Sequence, residues 1–167
     1  MVGRVTGIFT ASAEGAATSP LDEVRAIAGR GLEGDRYFDA NQGQHDPADE
    51  ITLIEAAGLR RAKADFGVDL DAGQHRRNVV IDGLDLLDLV GRTVRVGEVE
   101  VEVIADNPPC KYLQNLTGLP VLRALHRKGG VRGRIATGGL IRVGDPAAAV
   151  DTVDAAEPAG PTDDART

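Results

Sequence analysis

The sequence predicts a single domain built as a mostly antiparallel β-barrel. Short segments rich in Val, Ile and Leu recur at strand length along the chain, about eight in all. Tight turns containing glycine separate them, with few helical crossovers. Only two segments carry apolar residues at helical spacing. Many strands joined by turns, with few helices to cover a parallel sheet, bury their apolar faces by closing on themselves. A chain of 167 residues, 42% of them hydrophobic, is long enough for one core.

The elements follow in order. Residues 2–10 alternate small and β-branched side chains and read as a strand, followed by a small, polar loop over 11–20. Residues 24–28 are a second strand. Gly29-Arg30-Gly31-Leu32-Glu33-Gly34-Asp35-Arg36-Tyr37 sets three glycines among charges, a segment able to turn sharply or wrap a ligand. No Gly-Lys-Ser/Thr follows, so it is not a Walker loop. Residues 39–49 read as an exposed loop and 50–54 as a strand. Residues 55–66 form a helix, with Leu59, Ala62 and Phe66 on one face and Gly67 as the stop. After a turn at 69–73, His75-Arg76-Arg77-Asn78 leads into a strand at 79–81. In a regular strand Arg76 and Arg77 face opposite sides, so only one serves a given pocket.

Residues 84–91 are an apolar connection. Residues 93–96 and 99–103 flank Gly97-Glu98 as a hairpin. Leu119, Leu122 and Leu125 mark a short helix over 119–126, with Pro120 in its first turn. Residues 131–136 and 140–143 are strands, and Gly144-Asp145-Pro146 closes the last of these. The domain is expected to span 1–150. Residues 151–167 lack a core-forming pattern and are expected to be a disordered acidic tail.

Charge and composition narrow the function. The net charge is −7, of which five acids and one arginine in residues 151–167 supply −4, leaving −3 on residues 1–150. Such a balance does not favour a nucleic-acid backbone. Three per cent aromatics and no Trp leave little for base stacking. No apolar run reaches membrane-spanning length, and the N-terminus shows no signal-peptide run, so a cytoplasmic protein is expected.

Cys110 is the only cysteine, which excludes an internal disulfide and fits a reducing compartment. Preceded by Asn107-Pro108-Pro109 and followed by Lys111, its sulfur can be a soft metal ligand, a nucleophile or a small buried hydrophobe. His45, His75 and His126 lack paired metal-ligand spacing.

Taken together, the motifs form an ordered set. Gly31-Leu32-Glu33-Gly34-Asp35-Arg36, Ile51-Thr52-Leu53-Ile54, Arg76-Arg77-Asn78-Val79-Val80 and Leu89-Val90-Gly91 come first. Pro109-Cys110, Gly129-Gly130-Val131-Arg132-Gly133-Arg134 and Gly138-Gly139-Leu140-Ile141-Arg142-Val143-Gly144-Asp145 follow. The set resembles the MOSC domain, the C-terminal module of molybdenum cofactor sulfurases, over roughly residues 2–150. The resemblance implies a pyruvate-kinase-type β-barrel with about two short helices. It implies that Cys110 ligates molybdenum or carries sulfur. It also implies that Arg36, Arg77, Asn78, Arg132, Arg134 and Arg142 bind a molybdopterin-type cofactor, whose phosphate suits forked arginine donors.

Stand-alone bacterial members are linked to reduction of N-hydroxylated bases and amidoximes or to sulfur delivery. A non-catalytic carrier of the cofactor, or of a similar anion, is the alternative. The large pyridoxal-phosphate part of two-part sulfurases has no room here, so pyridoxal phosphate is not expected. With a single cysteine there is no ferredoxin-like cluster, so a partner protein is expected to donate electrons or sulfur to act on a small-molecule substrate.

Overall fold

In the computed structural model, which describes residues 1–38 and 46–150, the strands in chain order are as follows. The first five are β1 (Gly3–Thr10), β2 (Ser19–Pro20), β3 (Glu23–Ile27), β4 (Gly31–Leu32) and β5 (Ile51–Glu55). Then come β6 (Val79–Asp82), β7 (Thr93–Val96), β8 (Val99–Asp106), β9 (Val131–Thr137), β10 (Gly139–Arg142) and β11 (Pro146–Ala149). The order β11-β7-β8-β9-β5-β6-β1 returns to its start, because β1 pairs with β11 through Gly3–Ala147 and Arg4–Pro146. Seven strands thus make a closed barrel with no free edge. A separate sheet, β10-β3-β4, stands beside it.

Alternation along the strands fills the barrel. On β9, Val131, Gly133 and Ile135 face in, while Arg132 and Arg134 face out. Val5, Ile51, Ile81, Val94, Val101 and Ile135 belong to the interior cluster and are almost wholly buried. The only parallel pairing among the described residues is β5–β6. Such a pair needs a crossover, and α1 (Ala56–Phe66) supplies it. Gly67 ends α1 at φ 66°, the left-handed conformation that glycine takes freely. Leu59 and Ala62 are buried as the spacing predicts, and Phe66 sits at the rim beneath the Arg123 guanidinium.

The structure changes the element list. Among the described residues there are three α-helices rather than two: α1, α2 (Lys111–Thr117) and α3 (Val121–Ala124). The helix expected over 119–126 shortens to α3, and α2 was not anticipated. The closing strand β11 was not anticipated either, since Pro and three alanines have weak strand preference and pair here only because the barrel needs closure. Within segments read as loops, β2 and β4 are two-residue pairings. Of the loop expected over 39–49, residues 39–45, including His45, lie outside the described residues. Pro47–Asp49 is a 3₁₀ turn whose cap, Asp46, accepts the Ala48 N–H at 2.9 Å. The expected tail, 151–167, also lies outside them. Among the described residues no helix is long and apolar enough to cross a membrane.

A second apolar cluster lies on the outer wall of the barrel. It joins Phe9, Ile54 and Val80 to Leu59 of α1, Leu113 of α2 and Val121 of α3. This cluster anchors α2, and therefore the cysteine at its start.

Candidate functional site

Strand β8 runs out into Asn107-Pro108-Pro109-Cys110. The prolines keep this stretch from continuing as sheet or helix, and the Asn107 N–H donates to the Gly130 carbonyl at 2.7 Å. Cys110 caps α2 in an extended conformation, and its Sγ accepts the Leu113 N–H at 3.4 Å. The thiol is exposed and lines a cavity of about 240 Å³.

Arg77 is buried behind this loop, 8% exposed. Its Nε donates to the Gly129 carbonyl at 2.7 Å. Its Nη2 donates to the Asn107 carbonyl at 2.8 Å and the Pro108 carbonyl at 3.2 Å, and its Nη1 to the His75 carbonyl at 3.2 Å. Every guanidinium nitrogen is therefore committed to a backbone carbonyl, and Nη2 holds the loop that carries Cys110. Burial lowers the guanidinium to about 10, while the negative charge of a Cys110 thiolate acts in the opposite direction. Arg77 remains charged at neutral pH.

Asn78 is also committed. Its Oδ1 accepts from the Thr52 N–H and hydroxyl, and its Nδ2 donates to the Phe9 carbonyl at 3.1 Å. It ties β5 to β1 and forms cavity wall. Asp35 is buried and accepts the Ala11 N–H at 3.1 Å, which fixes the glycine-rich turn.

Arg36 and Arg132 are different. Both line the cavity and are only partly buried. Arg36 lies 4.4 Å over the Tyr37 ring and donates to its hydroxyl at 2.8 Å. Among the described residues Arg132 meets Asp49 at 3.4 Å and Asp46 at 4.0 Å, both through Nη1. Each retains donors for a ligand.

Arg76 also lines the cavity, contrary to the expectation that only one of the adjacent arginines could. The reason is its φ of 61°: the regular strand starts at Val79, so strand alternation does not govern Arg76 and Arg77. Its Nη1 donates to the Ala16 carbonyl at 2.5 Å.

The structure does not bring Arg134 and Arg142 to the cavity. Arg134 shares the outer face of β9 with Arg132 but lies two residues further on, roughly 7 Å along the strand, and is held by Glu102 at 2.7 Å. Arg142 lies on β10 between Glu23 and Glu98. Tyr112 and Leu113 line the cavity too. They were missed with α2, although Leu113 and Leu116 before Gly118 carry a short helical signal.

His75 is wholly buried, and its Nδ1 accepts the Arg77 N–H at 2.9 Å. Burial, with Arg77 as the lesser cause, lowers it to about 3. It is a neutral structural group.

These residues coincide with a known family. The sequence profile of the MOSC domain matches residues 41–148. The chain belongs to the MOSC domain family. That family is generally associated with the molybdenum cofactor. No curated protein matches the chain. Among solved structures, the YuaD protein of Bacillus subtilis is similar at 17% identity, covering 88% of this chain and 94% of that one, with a TM-score of 0.73. YiiM of Geobacillus stearothermophilus is similar at 19%, covering 89% and 75%, with a TM-score of 0.69. YiiM of Escherichia coli is similar at 18%, covering 89% and 70%, with a TM-score of 0.61. At these identities the likeness establishes the fold alone, a MOSC-like barrel.

The lining fits an anionic, metal-bearing cofactor. Arg36, Arg76 and Arg132, with the backbone-committed Arg77, line it together with Asp35, Asp49 and one soft sulfur. Among the described residues no three His, Cys, Asp or Glu side chains are grouped to hold a metal ion. A pterin-borne metal, which carries its own sulfur ligands, would fit a site that offers the single thiolate of Cys110.

Proposed function

We propose that this MOSC protein binds a molybdopterin-type cofactor beside Cys110 and reduces N-hydroxylated small molecules there. The supporting observation is the exposed Cys110 Sγ opening into an arginine-lined cavity. When bound, the cofactor supplies two-electron redox chemistry at its metal. In this reading Cys110 is the protein's ligand to that metal. Arg36 and Arg132 bind the phosphate of the pterin tail through their remaining donors. Arg77 and Asn78 hold the loop and wall rather than the ligand. Arg134 and Arg142 stay with their carboxylates and take no part.

The reaction balances with an external donor. Two electrons and two protons convert R–NH–OH to R–NH2 and water: the N–O bond breaks and its oxygen leaves as water. The electrons come from a redox partner protein, because a chain with one cysteine cannot hold an iron–sulfur cluster of its own. Protons come from water at the open mouth. The lone thiol is consistent with a cytoplasmic setting.

Substitution of Cys110 tests the reading. Cys110 is exposed, and serine is a good helix cap, so Cys110→Ser should keep stability within about 0.5 kcal/mol. Reduction of an amidoxime by the cofactor-loaded protein with a chemical electron donor should fall to background. Retained turnover in Cys110→Ser would contradict the reading. A second reading, sulfur transfer by a Cys110 persulfide, rests on the same exposure of Sγ. It predicts that a sulfur donor adds the mass of one sulfur atom to Cys110 and that a second protein removes it.

A further inference from the structure

The loop that carries Cys110 has two sides. Asn107 and Cys110 line the arginine-lined cavity. Pro108 and Pro109, between them, instead line a separate groove of about 400 Å³. No residue lines both spaces, so residues 107–110 form the partition between them. Arg77 Nη2 pins this partition through the Asn107 and Pro108 carbonyls. Leu122 of α3, Arg127 in the turn after it, Leu87 and Asp106 also line the groove.

We propose that this groove docks a small acidic electron-carrier protein, whose electrons cross the Pro108-Pro109 partition to the site at Cys110. This rests on the reductase reading above and adds the docking face and the chemistry of the partner. Each carrier gives up one electron and leaves oxidised, so two visits supply the two electrons that N–O cleavage consumes. The groove offers an apolar centre. Leu87 is 37% exposed and Leu122 39%, and the prolines present ring carbons with no N–H on a backbone of fixed φ. A rigid apolar patch of this kind, ringed by charge, is the make-up of a protein interface.

Charge selects the partner. Residues 107–144 hold seven lysines and arginines and no Asp or Glu, in a chain of net charge −7. Lys128, Arg132, Arg134 and Arg142 of this set meet carboxylates. Lys111, next to Cys110, and Arg127 are exposed and meet none among the described residues. Arg127 also holds φ 61°, a conformation that glycine adopts freely and arginine does not. A cation is thus kept at the groove against the preference of its backbone. Asp106 is the one acid in the lining. It disfavours like charge at its end, so the partner's acidic rim falls on the Arg127 side.

The test uses the full chain, purified without metal and labelled at leucine methyls, with an acidic plant-type [2Fe–2S] ferredoxin as the probe. The ferredoxin should shift the Leu87 and Leu122 resonances, and raising salt from about 0.02 to about 0.2 M should weaken it about 10-fold. Leu122→Glu should weaken binding about 10-fold or more. Arg127→Gly should weaken it about 5-fold while the melting temperature holds or rises, since glycine relieves the positive φ. No binding, salt-independent binding, shifts at Leu116 and Leu119 in place of Leu87 and Leu122, or an Arg127→Gly complex as tight as wild type would overturn the proposal. Self-association of the chain through Leu122 without ferredoxin would assign the groove to a second copy and overturn it too. Because binding is read without metal or turnover, failure here is distinct from failure of the reductase reading, which the Cys110 variant tests.

Discussion

At the scale of the residue, Arg77 directs all its nitrogens at backbone carbonyls and none at a carboxylate. Leaving a buried acceptor unmade costs about 1–3 kcal/mol. Lysine keeps the charge but lacks the fork. Arg77→Lys should therefore lower the melting temperature by about 4–8 °C for a loss near 2 kcal/mol, measured by thermal unfolding. An unchanged midpoint would show that the staple is dispensable. His75 gives a pH dependence. Its folded value, about 3, lies below the ordinary 6.5. Between those values the unfolded chain takes a proton that the folded one refuses, so stability falls as pH falls from 6.5 toward 3. The slope from this one group is about 1.4 kcal/mol per pH unit. His75→Leu should flatten the acid limb of stability by that amount in urea unfolding at pH 4, 5 and 6. Cys110 was legible because it is the only sulfur in a cysteine side chain here. The structural duty of Arg77 and Asn78 was not, because sequence gives residue types without saying which donors the backbone has already taken.

At the scale of the element, the loop before α2 packs directly on the Gly129 backbone. A Cβ at Gly129 would press on the Asn107 carbonyl at 2.5 Å and on Pro109. Gly129→Ala should cost about 1–3 kcal/mol and displace the segment bearing Cys110. Its signature is reduced metal retention in a protein that still folds, read by elemental analysis beside circular dichroism. Metal content equal to wild type would show that the loop tolerates the methyl. The hairpin of β7 and β8 was legible from its Gly-Glu turn, and α1 from its spacing and Gly67. Helix α2 was not, since seven residues that include Asn115 and Thr117 have little helical preference of their own. It forms because Leu113 enters the outer-wall cluster and Cys110 caps its start.

At the scale of the molecule, closure depends on β11, which bridges β1 and β7. Ala147 is 1% exposed within that strand. Ala147→Asp would bury a carboxylate without a partner, and should cost more than about 4 kcal/mol or abolish folding, as seen in soluble yield and thermal unfolding. A variant that melts like wild type would mean that closure at β11 is not needed. The barrel as a class was legible from strand count and turn chemistry. Its closing strand was not, because closure is a property of the whole sheet, and Pro146 with three alanines shows no strand pattern by itself.

The central claim is that Cys110 holds molybdenum in the arginine-lined cavity. Elemental analysis of wild type and Cys110→Ala, both expressed in a host that makes the cofactor, tests it most directly. The account predicts near-stoichiometric molybdenum in wild type and its loss in Cys110→Ala with the fold intact. Equal molybdenum in both proteins, or none in wild type, would contradict it.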